Sequence, residues 1–292
     1  MVRVRAPAKI NLCLHVGGRR DDGYHDLESL VVFADIGDDL TFADAERLSL
    51  IVDGPFAGAL TGESDNLVLR AVRDVAKLAK RDLHKRITLT KNLPVASGMG
   101  GGSADAGATI RAFLLEWPKE EIRLRDFAEL AGRLGADVPV CFFGQNCWML
   151  GRGDEITRCE VPELHAVLVN PGVAISTREI FANLQTRTGT ESIERPDGFE
   201  SVDALIEFLQ SVTNDLGAPA RSLTPVIGDV LNALRAAPGI RLARMTGSGA
   251  TCFGLFANAQ AAQSAAAQIA DDHADWWVKT TMLAKADSEE DA

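Results

Sequence analysis

The stretch PVASGMGGGSADAGATI, residues 94–110, carries five glycines and two serines and then turns into alanines, an isoleucine and a helix-like apolar run. Glycine and serine are also the residues of flexible linkers, so the flanks must decide what the stretch is. Upstream, RITLTKN (86–92) alternates as a strand does. Downstream, Ile110, Phe113, Leu114 and Trp117 fall at i, i+3, i+4 and i+7, the spacing of one helix face, with Pro118 as a stop. A loop that joins a strand to a helix is no linker. Gly98, Gly100, Gly101 and Gly102 let backbone N–H groups approach an anion closely, and a helix beginning near Ser103 aims its positive end at the same point. The stretch therefore reads as a phosphate cradle. It is not the dinucleotide turn G-x-G-x-x-G, because Ser103 occupies the third glycine position, nor a Walker loop, which needs G-K-[ST] after its fourth variable residue.

Composition narrows the setting. The chain has 292 residues, 46% of them hydrophobic, enough for one large or two ordinary domains with real cores. Thirty Lys+Arg against 41 Asp+Glu leave a formal charge of −11, with no basic block to neutralise a run of nucleic-acid phosphates, so nucleic acid is not an expected partner. No apolar run approaches the roughly 18–20 residues that span a bilayer, and MVRVRAPAKINLCLHV alternates where a signal peptide would be continuously apolar. A cytoplasmic protein with no membrane partner is expected. Cys13, Cys141, Cys147, Cys159 and Cys252 are odd in number and form no C-x-x-C pair, as reduced thiols would. Nothing in the pattern specifies an oligomeric state.

Along the chain, Ile10, Leu12, Leu14 and Val16 alternate with Lys9, Asn11, Cys13 and His15, the period of a half-buried strand that puts Lys9 and Asn11 on one face. RRDDGYHDLESL is polar and turn-rich, LVVFADI and DLTF read as two strands, and RLSLIVDGP as another. Asp65-Asn66 supplies an N-cap for a helix with Val68, Ala71, Val72, Val75 and Ala79 on one face. Leu124, Phe127, Ala131 and Leu134 make a further helix face, with Gly135 as its C-terminal cap and Asp137 as the first acid beyond it. Segments near 146–150 and 164–170 read as strands, and TRTGTESIERPDGFES as a connection. Helices follow behind Ser201 and Thr224-Pro225; then IRLARM, TCFGLF and WWVKTTML read as strands, with an alanine-rich helix opening at Asn258. Strands and helices mixed without a βαβ rhythm predict an α+β fold. The expected division is residues 1–160 and 161–285, with an acidic, disordered tail over 286–292.

Three motifs carry a resemblance. PAKINLCLHV (7–16), PVASGMGGGSADA (94–106) and MTGSGATCFGLF (245–256) resemble, in order, the first, second and third motifs of the GHMP kinases, the superfamily of galactokinase, homoserine kinase, mevalonate kinase and phosphomevalonate kinase. RRDDGYHDLES, the triple glycine before Ser103 and LGADVPV (134–140) are similar to the branch that acts on 4-diphosphocytidyl-2-C-methyl-D-erythritol in the non-mevalonate isoprenoid pathway. The resemblance implies a two-domain GHMP kinase fold: an N-terminal α/β domain related to a ribosomal-protein fold and a ferredoxin-like C-terminal domain, with the active site in the cleft between them. It also implies transfer of the ATP γ-phosphoryl group, with Mg2+, to the C2 hydroxyl of this small cytidine diphosphate substrate.

Onto these positions the resemblance puts roles. Asp137 is the expected base, although an Asp before Val138-Pro139 also suits the cap of the next turn. Lys9 is its expected partner, an ammonium that favours the developing alkoxide; read as an isolated residue it is an ordinary solvent-facing strand lysine. Pro94, Val95, Ala96, Ser97, Gly98, Met99, Gly100, Gly101, Gly102, Ser103 and Ala104 would hold ATP, with Ser97 and Met99 departing mildly from the small and leucine-like residues of the motif. Asn11, Tyr24, His25, Gly247, Ser248 and Gly249 would bind substrate. Tyr24, the single tyrosine of the chain, would stack on cytosine or else pack over the next strand, with His25 bonding the base edge. Gly247-Ser248-Gly249 would turn N–H groups toward the diphosphate, or serve as a plain hairpin turn. Ser103 could reach Mg2+, and Asp105 could favour the helix N-terminus. His15, His84, His165 and His273 show no metal or nucleophile spacing and read as structural.

Overall fold

The structure, a computed structural model, describes residues 1–21, 23, 25–62, 65–116, 123–184 and 193–285. Tyr24, Trp117, Pro118, part of the 186–201 connection and the 286–292 tail lie outside the described residues. The chain opens with strands β1 (Val2–Asn11), β2 (His15–Arg19), β3 (His25–Asp44) and β4 (Ser49–Asp53). Then come α1 (Leu67–Ala79), β5 (Lys85–Thr90), α2 (Gly101–Glu116), α3 (Leu124–Leu134) and α4 (Val138–Phe143). After these follow β6 (Cys147–Gly151), β7 (Glu155–Arg158), β8 (Leu164–Asn170), α5 (Thr177–Ala182), α6 (Val202–Ser211), α7 (Gly217–Leu223) and α8 (Val226–Ala236). The last elements are β9 (Ile240–Met245), β10 (Cys252–Phe256), α9 (Ala259–Asp272) and β11 (Trp277–Leu283). Asn66, Ser201 and Asn258 cap α1, α6 and α9, accepting from the N–H groups of Val68, Ala204 and Ala261.

Two compact units result, each discontinuous in sequence. The first comprises Met1–Ala8, Ile36–Val95 and Gly100–Gln145. Within it the second half of β3 pairs antiparallel with β5, from Asp39↔Thr90 to Asp44↔Lys85, and β4 pairs parallel with β5 through a crossover that contains α1. Phe42 of β3 meets Phe113 of α2 edge-on, ring centroids 5.7 Å apart, and Phe127, Leu130, Val72 and Leu89 are fully buried. Each such side chain contributes about 1.5–3 kcal/mol. Helix α2 is buried from Ala104 to Ile110 without a break, so it needs small residues all round: at Gly107 an added Cβ would stand 2.7 Å from the backbone of Cys141 and Phe142 in α4.

The second unit comprises Lys9–Asp35, Ala96–Met99 and Asn146 onward. Its sheet runs β11-β8-β10-β9, every neighbouring pair antiparallel, with α8 between β8 and β9 and α9 between β10 and β11. That is the split βαβ repeat of a ferredoxin-like fold, as the resemblance implies. Ile227, Val230 and Leu234 of α8 and Ala262, Ala265 and Ile269 of α9 pack in one cluster with Val167, Val169, Cys252 and Phe256 of the sheet. The first half of β3 joins β11 at Ala34↔Leu283 and pairs on with β6 and β2, while β7 closes a hairpin on β6. Among the described residues no helix is long and apolar enough to cross a membrane, and all five cysteines are free and buried.

Three expectations are corrected. The strand expected through residues 9–16 stops at Asn11 and resumes at His15, and it is not half-buried: Lys9, Asn11 and Cys13 are as buried as their apolar neighbours. LVVFADI and DLTF are one strand, because Asp38, which looks like a breaker, has its carboxylate satisfied by the N–H groups of Asn92 and Leu93 at 2.6 and 2.9 Å. Helix α2 starts at Gly101, two residues before Ser103; its first turn closes with Ala104 N–H on the Gly100 carbonyl at 2.8 Å, overriding glycine's poor helix propensity. Helices α5 and α7 and strand β7 were not foreseen. Gly107→Ala should cost about 1–3 kcal/mol, because α4 must retreat from the new methyl group; a lowered urea midpoint at unchanged slope checks it.

Candidate active site

In the second unit three sequence motifs meet on one another's backbone. Lys9 and Asn11 end β1. The Lys9 N–H donates to the Met99 carbonyl at 3.0 Å, and the Asn11 N–H donates to Thr246 Oγ1 at 2.9 Å, so the first motif is bonded to both the second and the third. Ser97 accepts at its carbonyl from the Thr251 N–H, 3.1 Å away. Gly98 has φ +78° and no room for a side chain: a Cβ would stand 2.6 Å from the Thr246 carbonyl oxygen and 2.7 Å from Gly249 N. A Cβ on Gly247, at φ +54°, would collide with the Gly98 carbonyl oxygen. The 246–251 turn does join β9 to β10 as a hairpin, with Met245 opposite Cys252. Gly247 is required by the loop it presses on, whereas a Cβ on Gly249, at φ +87°, would meet Met245 Sδ at 2.7 Å.

The polar groups here are buried. Lys9 is 3% exposed, and an ammonium withdrawn from water is costly unless opposite charge or ligand oxygen answers it. Asn11 Nδ2 donates to Ser29 Oγ at 2.7 Å, and Ser29 in turn donates to the Cys13 carbonyl at 2.6 Å. Asn11 Oδ1 is buried with no hydrogen-bond partner in the structure. Burial pushes the Cys13 thiol up to about 11 and the Cys147 thiol to about 12, so neither is a thiolate nucleophile. Ser248 Oγ lies 2.8 Å from Thr177 Oγ1 at the start of α5. From the same short helix Phe181 brings its ring centroid to 5.5 Å from that of His25, whose Nδ1 is 3.2 Å from the Gly17 carbonyl oxygen. That bond uses an Nδ1 proton, and in the neutral imidazole Nε2 is then an acceptor. Phe181 escaped sequence reading, since α5 is too short to show periodicity.

The first unit holds the remainder. Pro94 and Val95 lead out of β5, and Gly101, Gly102 and Ser103 open α2, where N–H groups have no acceptor inside the helix, with Ala104 next, bonded to Gly100. Under that turn lies a buried cluster: Lys91 Nζ bonds Asp38 Oδ2 at 2.5 Å and Asp105 Oδ2 at 2.7 Å, and a Cβ on Gly101 would be 3.2 Å from the ammonium. Asp105 thus belongs to an ion-pair cluster and lies beyond the first turn of α2, which corrects the expected helix N-terminus role. Neither Lys91 nor Asp38 was singled out by sequence; KN and GDD look like ordinary turn residues. Asp137 stands at the N-terminal flank of α4, half-buried, and its side chain makes no capping hydrogen bond to that helix. Helix α4 is held against Gly107, and Arg111 grips its last turn at the carbonyls of Cys141 and Phe142.

Among the described residues no three His, Cys, Asp or Glu side chains group as a metal site, and the acids nearest the loop, Asp38 and Asp105, are already answered by Lys91. A hard cation here would depend on phosphate oxygens, water and a neutral donor such as the Ser103 hydroxyl, a set that fits Mg2+.

The first unit supplies a helix N-terminus and an acid, and the second a buried lysine bonded to the glycine loop, residue types that phosphoryl transfer uses. Residues 66–145 match the GHMP kinases N terminal domain and residues 193–275 the GHMP kinases C terminal domain. The chain is similar to the 4-diphosphocytidyl-2-C-methyl-D-erythritol kinase of Paracoccus denitrificans, 50% identical over 285 residues, covering 97% of both chains. It is similar to the protein of that name from Rhodospirillum rubrum, 47% identical over 281 residues, covering 95% of this chain and 91% of the other. The crystal structure of a 4-(cytidine 5'-diphospho)-2C-methyl-D-erythritol kinase superposes with a TM-score of 0.80 at 30% identity, over 98% of this chain and 100% of that one. A homoserine kinase from Cytophaga hutchinsonii shares the fold, with a TM-score of 0.64 at 19% identity over 96% of this chain and 93% of the other. The chain belongs to the GHMP kinases, small-molecule phosphotransferases for which ATP is the co-substrate.

The charge cluster gives a testable pH dependence. Burial and the neighbouring Asp38 push the Asp105 carboxyl from 3.8 up to about 7, against the pull of Lys91. Its folded pKa is raised, so the folded state binds the proton more tightly and loses stability as pH rises from about 4 through about 7. Asp105→Asn cannot titrate; its stability relative to wild type should rise over that interval, as urea midpoints at pH 5 and pH 8 would show.

Proposed function

We propose that this chain transfers the γ-phosphoryl group of ATP to the C2 hydroxyl of 4-diphosphocytidyl-2-C-methyl-D-erythritol, a step of the non-mevalonate isoprenoid pathway. The observation that carries this reading is the buried Lys9 ammonium, tied by its own N–H to the glycine loop in a chain so similar to kinases of that name. In this reading the acceptor oxygen attacks Pγ, the bond from Pγ to the bridging oxygen breaks with ADP as leaving group, and the acceptor proton passes to Asp137. Phosphoryl transfer needs alignment and charge neutralisation more than covalent chemistry, and the residues divide along those lines. Lys9 steadies the developing alkoxide. Residues 94–104 hold the ATP phosphates through glycine N–H groups and the positive end of α2. Mg2+, with Ser103 as its protein oxygen, would neutralise the phosphate charge.

The acceptor is recognised at its two ends. His25 Nε2, left an acceptor by the bond to Gly17, suits the amino group of cytosine, and Phe181 supports the reading by offering the base an aromatic face, to which Tyr24 would add a second. The Gly247-Ser248-Gly249 turn would receive the diphosphate, and the unpartnered Asn11 Oδ1 a substrate hydroxyl or the Lys9 ammonium. The buried, reduced thiols suit a cytoplasmic enzyme, and the acidic surface argues against nucleic acid. Asp137→Asn should lower kcat by about 10²–10⁴-fold with nucleotide affinity nearly unchanged. Turnover and titration with ATP, Mg2+ and the cytidyl substrate check it. Undiminished turnover would remove Asp137 as base, and activity on homoserine or mevalonate alone would overturn the substrate.

A further inference from the structure

The segment Thr213-Asn214-Asp215, between α6 and α7, lies outside all three motifs, yet it bonds to two of them. Asn214 is 5% exposed. Its Nδ2 donates to the carbonyls of Met245 and Gly247, both at 2.8 Å, and its Oδ1 accepts from the Leu216 N–H at 3.0 Å. Both amide hydrogens and the amide oxygen are thereby used, which fixes the orientation of the side chain. On its other side the segment holds the chain just past Lys9 and Asn11. The Leu14 N–H donates to the Thr213 carbonyl at 3.0 Å, the Asp215 N–H to the Leu14 carbonyl at 2.8 Å, and the Val16 N–H to Asp215 Oδ2 at 3.0 Å.

The bond to Gly247 matters most. Gly247 sits at φ +54° with its Cα against the Gly98 carbonyl, and the direction of its own carbonyl sets which way the N–H of the same peptide, that of Ser248, points. The ladder of β9 and β10 ends at Met245↔Cys252 and does not reach that peptide. We infer that Asn214 is a positioning residue: the Gly249 N–H is spent on the Thr246 carbonyl at 3.0 Å, and the Asn214 amide, through the Gly247 carbonyl, holds the Ser248 N–H aimed at the substrate diphosphate. Asn214 touches no reacting atom. The inference rests on the diphosphate role proposed above for this turn.

Asn214→Asp tests it, since it keeps the size and the acceptor for Leu216 but sets an oxygen against two carbonyls. Inhibition by CDP and by cytidine is compared, because cytidine engages only the base-binding residues. CDP should bind about 10–100-fold more weakly to the variant, the loss expected when buried carbonyls lose their donor, with cytidine unchanged. A merely structural role would weaken both together, and that result, or undiminished CDP affinity, would overturn the role of Asn214. Equal affinity of the wild type for CDP and cytidine would instead overturn the diphosphate role of the turn, and the inference with it. Should the variant fail to fold, Asn214→Ser, which keeps one donor and adds no charge, is held to the same comparison.

Discussion

The structure depends on a contact in which backbone meets backbone: Gly98 against Thr246 and Gly249, and Gly247 against Gly98. Neither partner has a side chain to give, and both lie in the left-handed region, where only glycine is unstrained. Residues 150 positions apart are thereby locked at van der Waals distance. The first motif is then bonded to the pair from both sides, Lys9 to Met99 and Asn11 to Thr246. One consequence is electrostatic. A lysine that ends a strand in such company is withdrawn from bulk water, so its charge is screened much less than that of a surface lysine.

A second buried ammonium obeys the same logic with a different result. Lys91 is matched by two carboxylates of its own unit, and the cluster has a cost at Asp105: burial beside Asp38 makes it hold its proton more tightly, and one of its oxygens has no partner. Such a cluster fixes β3, β5 and α2 in one geometry. The glycine loop rests on it at Gly101. Lys91 is therefore a support beneath the first turn of α2, whereas Lys9 is bonded by its backbone to Met99 in the other unit.

Local order was legible where a single period or cap dominates. The caps at Asn66, Ser201 and Asn258 and the faces of α1, α3, α6 and α8 follow from spacing alone. The three motifs could be read because glycine in quantity between a strand and a helix has few uses. What failed had tertiary causes. Nothing local says that Asp38 is satisfied inside a strand by Asn92 and Leu93, so β3 looked broken. Nothing local says that β1 is buried on both faces, so Lys9 looked exposed. Phe181 and Asn214 lie on short or irregular segments with no period, and their partners are remote in sequence: His25 for one, Gly247 for the other.

Gly98→Ala tests the central contact directly, through nucleotide affinity and turnover measured on the folded variant. The added methyl group would meet the Thr246 carbonyl at 2.6 Å and Gly249 N at 2.7 Å, at a backbone angle alanine resists. The account predicts that ATP affinity and turnover fall together by at least about tenfold, as a strained loop and a displaced 247–249 turn require. Wild-type affinity and turnover in Gly98→Ala would contradict it.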